Sequence, residues 1–170
     1  FEFEGVDSMY KKEAAFITRS YGSHGSRLYT EKSIWIRRYQ PEENQPIYRY
    51  DHELNRMYLS PFHLTKENAK KYVDLINNYG AEQLNGYPSS IYILAKMLDD
   101  AGLSLKNIKK IHCASEKMLN EWNIYIEKVM GITPKNHYGM VEKVAHHSQC
   151  DQTNYYHDNL EYGVTEYISD

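Results

Sequence analysis

The seven residues from 136 to 142, Asn-His-Tyr-Gly-Met-Val-Glu, combine aromatic rings, a glycine and a carboxylate at the end of a short extended segment. We expect a strand to end near Tyr138 and Gly139, because glycine has no Cβ and lets the backbone turn sharply. Glu142 would then lie at the rim of the crevice beyond that strand. Its carboxylate is a hard oxygen donor suited to Mg²⁺. A solvated loop carboxylate is the alternative interpretation.

Two further stretches have small or polar residues where a strand is expected to end. Residues 86–89, Gly-Tyr-Pro-Ser, allow a close backbone approach and then begin a helix, whose free amides and dipole favour an anion. Residues 113–116, Cys-Ala-Ser-Glu, have small side chains that let a flat ring lie on the backbone. An ordinary strand-to-helix turn is the alternative for both. Cys113 is expected inside a buried strand, which favours core packing over nucleophilic chemistry.

A polar region follows, which contains His146, His147, Cys150 and His157. Thiolate and imidazole are ligands that zinc prefers, but this spacing matches no closed zinc pattern. We therefore favour polar side chains at the rim of a cleft, and zinc at Cys150 and His157 is the weaker alternative. The sequence contains no Walker-type phosphate loop and no dinucleotide-binding fingerprint.

Composition restricts the class of protein. The 170 residues suffice for one domain with a sizeable core. The net charge of -3, with both signs interspersed, argues against a nucleic-acid partner. Two cysteines are too few for a disulfide scaffold and indicate a reducing cytosol. The sequence shows no signal peptide and no apolar run of membrane-spanning length, so we expect a cytoplasmic protein without membrane insertion.

The first sixty residues are rich in β-formers and turn residues, which predicts short strands there. The expected strands are Ala15–Thr18, Arg27–Tyr29, Ser33–Arg37 and Asn55–Ser60, with a turn or flexible loop at Tyr21–Ser26 and a polar loop at Pro41–Pro46.

From Thr65 onwards, helices and strands alternate. Three helices are expected, the first capped by Thr65, the second capped by Ser89, and the three followed by glycines at 80, 102 and 131. Their expected buried faces are Ala69, Tyr72, Val73 and Ile76 in the first, Tyr92, Ala95 and Leu98 in the second, and Trp122, Tyr125, Ile126 and Val129 in the third. The expected strands are Gln83–Asn85, Ile108–Ala114 and Ile132–Tyr138, followed by a hairpin of Asn154–His157 and Gly163–Ile168.

This alternation predicts an α/β fold, with a largely parallel sheet and flanking helices. We divide the single unit 1–170 into a β-rich portion (1–60), a βαβ portion (61–138) and a portion with the site loop and hairpin (139–170). Ligands of parallel sheets bind beyond the carboxyl ends of the strands. The loops at 86–89, 114–118 and 138–142 are therefore predicted to meet at one crevice.

In the order and spacing of these motifs, the chain resembles the adenylate-forming ligases, and within them the phenylacetate–CoA ligase and CapK branch. The matching segments are NRMYLSPFHLT at 55–65, LNGYPSSIYILA at 84–95, ASEKM at 114–118, NHYGMVE at 136–142, and Cys150 followed by His157. The resemblance runs from about Asp51 to the end of the chain. It implies a central fragment of the large N-terminal domain of such a ligase.

The resemblance also implies an activity. In the family, a carboxylic acid and ATP form an acyl-adenylate and pyrophosphate, and the acyl group usually passes to coenzyme A. Members of the CapK type are associated with capsular polysaccharide biosynthesis. The implied ligands are ATP, Mg²⁺, coenzyme A and a small carboxylic acid whose identity stays open, as does the formation of a homodimer.

Individual roles follow from the same resemblance. The residues implied to border the adenine are Ser115 and Glu116, and those implied to flank the adenine and the acyl group are Asn136, His137 and Tyr138. The residues implied to line the acyl pocket are Gly139 and Met140, and those implied to shape the entry of the acyl chain or pantetheine are Tyr87, Pro88 and Ser89. Glu142 would help to hold Mg²⁺ on the ATP phosphates and is the implied catalytic residue.

The chain departs from the family pattern at two residues. Val141 stands where the family has a hydroxyl that reaches a phosphate, and Ser115 stands where glycine is usual. The phosphate loop of the family would precede Phe1, and its ribose-binding aspartate and C-terminal domain would follow Asp170. We therefore expect the N- and C-terminal portions to be missing and this fragment to be inactive alone. The alternative is a catalytically degenerate binding module of a polysaccharide-assembly system.

Overall fold

The structure, a computed structural model, describes residues 7–27, 30–153 and 155–168. Its contacts divide the chain into a central unit, Tyr29–Pro134, and a terminal unit, which combines Phe1–Leu28 with Lys135–Asp170. Among the described residues, no helix has the length and the apolar character that a membrane crossing requires.

The described residues form four helices and eight strands. In chain order these are α1 (Asp7–Ser23), β1 (Ser33–Ile36), β2 (Tyr48–Asp51), β3 (Arg56–Leu59), α2 (Ala69–Tyr79), β4 (Gln83–Gly86), α3 (Pro88–Ala101), β5 (Lys110–Ala114), α4 (Asn120–Met130), β6 (Lys135–Gly139), β7 (His146–Gln149) and β8 (Tyr156–Asp158). Two short 3-10 helices, Pro61–His63 and Lys66–Asn68, precede α2.

The strands of the central unit lie in the order β2-β3-β1-β4-β5. The pairs β1–β3, β1–β4 and β4–β5 are parallel, and only β2 is antiparallel to its neighbour β3. The predicted, largely parallel α/β sheet is therefore confirmed in this unit. The strand β2 was not predicted, because Tyr-Arg-Tyr-Asp lacks the apolar residues of a buried strand and lies at the edge.

The two faces of this sheet differ in chemistry, because successive side chains of a strand point to opposite faces. One face carries Ile34, Leu84 and Ile111, which face each other across β1, β4 and β5 and join the buried core with Ile76 and Leu94 of the helices. The opposite face carries a row of polar and aromatic side chains, made up of Arg49, Tyr58, Trp35, Asn85 and His112.

The helices of the central unit confirm most of the expected apolar faces. The whole expected face of α2 is buried, and the glycine after α2 adopts the left-handed conformation that ends a helix. In α3, Ala95 and Leu98 are buried as expected, whereas Tyr92 is half-buried and stacks on Trp122 of α4 at 5.3 Å between ring centroids. Of the expected α4 residues only Ile126 is fully buried.

Both expected N-caps are wrong. Thr65 precedes the 3-10 turn rather than α2, and its side chain makes no cap hydrogen bond. The helix α3 begins two residues earlier than expected, at Pro88, with Tyr87 rather than Ser89 in the cap position. Proline is well suited to the first helical position because its missing N–H would have no partner there. Ser89 is therefore the second residue of the helix.

The terminal unit corrects the interpretation of both chain ends. The expected strand Ala15–Thr18 and the first half of the expected loop Tyr21–Ser26 lie within α1. Strong helix formers around residues 11–15, Lys-Lys-Glu-Ala-Ala, outweigh the weak β propensity of the next few residues. Residues 28 and 29 of the expected strand Arg27–Tyr29 lie outside the described residues, as does Asn154.

A C-terminal hairpin exists and consists of β7 and β8. The first expected strand, Asn154–His157, overlaps β8 at Tyr156 and His157, but its partner is β7 rather than the segment 163–168. The strands β6, β7 and β8 form an antiparallel meander, in which Tyr138 pairs with His147 and Ser148 with His157. The segment 163–168, expected as the second strand of the hairpin, has no regular secondary structure. The strand β7 was missed because its sequence, His-His-Ser-Gln, contains none of the residues that favour strands, Val, Ile, Thr, Phe, Tyr or Trp.

Candidate functional site

In the central unit, the parallel register brings four strand ends together at one edge of the sheet. Leu59, Ile36, Gly86 and Cys113 follow one another across β3, β1, β4 and β5. The loops that follow β4 and β5 therefore leave the sheet side by side, which is where ligands of parallel sheets bind. Of the predicted site residues, Tyr87, Pro88, Ser89, Ser115 and Glu116 belong to this edge.

A hydrogen bond joins these two loops. The backbone N–H of Ser89, in the first turn of α3, donates to the Oε2 atom of Glu116 at 3.0 Å. The first amides of a helix lack partners within the helix, and a carboxylate there also interacts favourably with the helix dipole. Glu116 thus fixes the loop after β5 to the start of α3. The anion expected at this helix end is therefore a side chain of the protein itself.

The backbone of both loops is sterically restricted, by close neighbours at Gly86 and by a left-handed conformation at Ser115. At Gly86, an added Cβ atom would lie 2.8 Å from Cδ1 of Ile91 and 3.1 Å from the carbonyl oxygen of Ile36. The expected close approach is therefore confirmed, but it is made by α3 and β1. Ser115 has a φ of 70°, in the left-handed region that favours glycine. This conformation gives a physical reason for the glycine that the family usually has at this position.

Cys113 lies at the end of β5 and is fully buried. Burial raises the pKa of its thiol far above the ordinary value, because the thiolate would lose its solvation, and the nearby Glu116 carboxylate acts in the same direction. A thiol held in its neutral form is a poor nucleophile. The expectation that Cys113 serves core packing is confirmed.

The end of β3 contributes a polar pair that sequence reasoning did not single out. The Oγ atom of Ser60 and the Nδ1 atom of His63 lie within hydrogen-bond distance, at 2.8 Å. Ser60 is fully buried, and the Tyr72 hydroxyl donates to its carbonyl oxygen. The segment 55–65 was part of the resemblance, but the position of β3 beside β1 depends on parallel pairing that its own residues do not specify.

In the terminal unit, β6 carries four of the predicted site residues, Asn136, His137, Tyr138 and Gly139. The backbone N–H of Asn136 donates to Oε1 of Gln149 on β7 at 2.8 Å. The Asn136 side chain is 6% exposed, and its Oδ1 atom has no hydrogen-bond partner within the described parts of the chain. Because buried acceptors are almost always satisfied, this oxygen is suited to an N–H donor of a ligand, such as the amino group of an adenine.

The next two residues of β6 point to opposite faces of the meander. The ring of His137 stacks on that of His146, with centroids 5.4 Å apart and planes inclined by 18°. Tyr138 is half-exposed and contacts His147 at a centroid distance of 5.4 Å. About half of Tyr138 is therefore open to solvent, whereas the ring of His137 packs within the unit.

A turn follows β6, and it carries the predicted metal ligand. The backbone N–H of Lys143 donates to the carbonyl oxygen of Met140 at 3.1 Å, and Lys143 itself is left-handed, with a φ of 57°. The turn thus lies after Gly139, where an added Cβ atom would meet no neighbour. Val141, 75% exposed, and the exposed Glu142 lie at its tip. The Lys143 ammonium pairs with Glu13 of α1.

Burial strongly perturbs His146 of β7. Its side chain is buried, and burial lowers its pKa from 6.5 to about 4. The Nδ1 atom accepts a hydrogen bond from Nδ2 of Asn159 at 2.8 Å, so the proton of the neutral ring is on Nε2. His146 is therefore a neutral structural residue at pH 7.

Cys150 differs from Cys113 in that its thiol lies at the surface. The Thr153 hydroxyl, the Gln152 backbone N–H and the His157 side chain stabilise the thiolate and lower the pKa of Cys150 to about 7. The N–H of Gln152 lies 3.4 Å from Sγ. Within residues 7–27, 30–153 and 155–168, no three His, Cys, Asp or Glu side chains are grouped to hold a metal ion. The zinc alternative thus gains no support.

Comparison with known proteins identifies relatives of the chain. No protein-family model matches it. It is 26% identical over 102 residues to the protein CapK of Staphylococcus aureus, a match that covers 59% of this chain and 23% of CapK.

Two solved structures of 2-hydroxyisobutyryl-CoA ligase share the fold. One is an open conformation in complex with 2-HIB-AMP and CoA, with a TM-score of 0.56 at 12% identity, covering 87% of this chain and 36% of the ligase. The other is the postadenylation state in complex with R3-HIB-AMP, with a TM-score of 0.52 at 12% identity, covering 91% and 40%.

The resemblance to adenylate-forming ligases that the sequence indicated is thus confirmed, and the chain has the fold of part of such a ligase. It spans less than half of the length of each of these relatives.

Proposed function

We propose that the chain is part of an adenylate-forming ligase, which activates a carboxylic acid with ATP to an acyl-adenylate and then forms a thioester with coenzyme A. The observation that carries the proposal is the fold shared with a CoA ligase whose structures contain an acyl-AMP and CoA. The likeness to CapK further supports a role in capsular polysaccharide biosynthesis. The cytoplasmic location stays a prediction from the low cysteine content.

The adenine would be bound by residues from two groups. Asn136 offers a buried, unsatisfied side-chain oxygen to the amino group of the base. Ser115 and Glu116 would border the ring, because their loop leaves β5 with the small side chains of Ala114 and Ser115. Glu116 already holds the start of α3 through Ser89, so its part in the site would be to position the loop.

The acyl group would lie against three further groups of residues. His137 and Tyr138 would flank it, and Gly139 and Met140 would line its pocket. Tyr87, Pro88 and Ser89 would form the entry for the acyl chain or the pantetheine arm. Pro88 is buried at the first position of α3, so this entry would be rigid.

Glu142 would help to hold Mg²⁺ on the phosphates of ATP. Mg²⁺ is usually bound by one or two carboxylates together with substrate phosphates, and the exposed carboxylate of Glu142 fits this pattern without further protein ligands. The ion would supply charge stabilisation to the phosphate oxygens. The contribution of the chain is to present Glu142 on a turn that the Met140–Lys143 hydrogen bond closes.

The test is ATP–pyrophosphate exchange by the full-length protein, with Mg²⁺ and a panel of aromatic, aliphatic and sugar acids. We expect exchange with at least one class of acid. Glu142→Gln should reduce it about a hundredfold, the effect typical of losing one group that stabilises transition-state charge. Glu121→Gln, an exposed carboxylate in the first turn of α4, is the matched control. Absence of exchange with every acid, in folded protein, would refute the proposal.

Val141 favours a second candidate, a degenerate module that has kept the fold but lost the chemistry. Valine cannot give a phosphate the hydrogen bond that the family's hydroxyl provides, and it is 75% exposed at the turn. Calorimetry with ATP and Mg²⁺ separates the two candidates: an enzyme binds, and Glu142→Gln weakens the binding. A degenerate module binds no nucleotide. Val141→Thr should raise the exchange rate of an enzyme and leave a degenerate module inactive.

A further inference from the structure

A cleft in the central unit is lined by none of the site residues named above. It has a volume of about 760 Å³, within the range of small-molecule sites. The loop after β1 and the strands β2 and β3 form it, and its lining residues are Arg38, Tyr39, Gln40, Glu42, Gln45, Pro46, Tyr48, Arg49 and Tyr58. Two guanidinium groups and three phenol rings thus surround one cavity.

The two arginines give the cleft a positive character. Within the described parts of the chain, neither Arg38 nor Arg49 forms an ion pair or a side-chain hydrogen bond. The only carboxylate in the lining, that of Glu42, accepts a hydrogen bond from Nε2 of Gln45 at 3.4 Å. An arginine presents a planar fork of donors that matches the oxygens of a phosphate.

The aromatic rings hold one of these arginines in place. The guanidinium carbon of Arg49 lies 5.2 Å from the ring centroid of Tyr58 and 5.9 Å from that of Tyr39. The Tyr39 hydroxyl donates to the carbonyl oxygen of Pro46 at 2.8 Å, which fixes this ring across the loop. Stacking on an aromatic face orders the guanidinium and leaves its in-plane N–H donors available.

We propose that this cleft binds the phosphate-bearing end of a nucleotide-type ligand, with phosphate oxygens at Arg38 and Arg49 and the base against a tyrosine ring. Paired cations match phosphates, and half-buried rings match a flat base. Two ligands have this chemistry, the 3′,5′-bisphosphate end of coenzyme A and the nucleoside diphosphate of an activated sugar. The inference does not depend on the adenylation activity proposed above.

The test is calorimetric titration of the full-length protein with adenosine 3′,5′-bisphosphate and, separately, with UDP. At least one should bind, and the one that binds more tightly identifies the source. Arg38→Gln and Arg49→Gln should each raise Kd at least about tenfold, because each removes a charge-assisted hydrogen bond to a phosphate oxygen. Lys70→Gln removes the same charge from the exposed face of α2 and should leave Kd unchanged.

A second pair of variants tests the proposed stacking of the base on Tyr39. Tyr39→Ala should raise Kd at least about fivefold through lost stacking, whereas Tyr39→Phe keeps the ring and should stay within about twofold of the wild type. Glu142→Gln separates this cleft from the proposed adenylation site and should leave Kd unchanged.

Three outcomes overturn the proposal. These are the failure of both nucleotides to bind, equal affinity of the wild type and both arginine variants, and a loss of binding in Glu142→Gln alone. Pyrophosphate exchange that fails while the cleft binds would refute the proposed function and leave this inference standing.

Discussion

The two units of this chain are stabilised by different chemistry. The central unit buries a continuous apolar cluster of aliphatic side chains between its sheet and its helices. Fully buried aliphatic side chains are absent from the described part of the terminal unit, whose buried residues are Ser20, Tyr21, Ser26, Asn136, His146, Gln149, Asn159 and Tyr162. Polar groups that are buried need hydrogen-bond partners, and some find them in one another here, as in the Asn159–His146 pair. Oδ1 of Asn136 and Nε2 of His146 have no partner within the described residues.

This difference has a consequence for function. Apolar packing tolerates change in sequence as long as volume and pattern are kept, whereas a network of buried polar groups depends on each partner. The proposed adenine and metal residues Asn136 and Glu142 lie in the polar unit. The proposed entry residues 87–89 lie on the apolar scaffold. We therefore expect the two units to respond differently to mutation and to pH.

The largest effect is expected from a cavity in the central core. Leu94 of α3 is fully buried, and Leu94→Ala should lower the free energy of unfolding by about 2–5 kcal/mol, through lost burial and an unfilled cavity. Chemical denaturation of the full-length protein measures this change. Val144→Ala, at an exposed position of the terminal unit, should change it by less than about 0.5 kcal/mol. Similar effects of the two variants would contradict the contrast between the units.

Acid should act mainly on the terminal unit, through His146. Its folded pKa of about 4 lies below the ordinary 6.5, so the unfolded chain takes up a proton first as the pH falls. The stability is therefore complete above pH 6.5 and falls between pH 6.5 and about 4, by on the order of 3 kcal/mol.

Denaturation across this pH range measures the loss of stability. His146→Gln should flatten the slope, and an exposed-histidine control, His52→Gln, should not. An unchanged slope in His146→Gln would show that other groups cause the acid sensitivity.

A smaller, opposite effect is expected at Ser115. Its left-handed φ is costly for any residue with a Cβ atom, so Ser115→Gly should raise the free energy of unfolding by about 0.5–1 kcal/mol. Ser104→Gly, at a position without a positive φ, should lower the stability instead, because glycine increases the freedom of the unfolded chain. Thermal or chemical denaturation of both variants provides the comparison, and destabilisation by Ser115→Gly would be evidence against backbone strain there.

The last prediction concerns the reactivity of the two cysteine thiols and involves no change in stability. Cys150 should react with iodoacetamide at a rate that rises to half its maximum near pH 7, whereas Cys113 should stay unmodified until the protein unfolds. Thr153→Val removes the largest cause of the lowered pKa and should shift the midpoint towards higher pH. Mass spectrometry of alkylated peptides follows each thiol separately. Equal rates at the two cysteines would contradict their assignment.

The helices and the parallel strands of the central unit could be predicted from the sequence, because their signals are local. Apolar residues three and four apart predicted the buried face of α2, and the glycine at 80 predicted its end. The strands β2 and β7 could not be predicted in this way. The strand β2 lies at the edge of the sheet and β7 lies between β6 and β8, and the residues of both strands are mostly polar.

Among the candidate site residues, the sequence identified the loops but not their internal contacts. The motif at 113–116 indicated small residues at the end of a strand, which β5 confirmed. That Glu116 accepts a hydrogen bond from Ser89 depends on two loops 27 residues apart meeting at one edge of the sheet. The meeting of residues 138–142 with these loops stays a prediction.

The sequence by itself determined the class of fold, the C-terminal ends of α2, α3 and α4 and the family resemblance, since periodicity, glycine positions and motif order are properties of the chain alone. Only the tertiary structure decided that Ser115 is left-handed, that His146 is neutral and buried, and that Arg38 and Arg49 line one cleft. The physical reason is that backbone strain, desolvation and the grouping of charges depend on which residues distant in sequence become neighbours. The pairing of strands in the folded chain determines these neighbours.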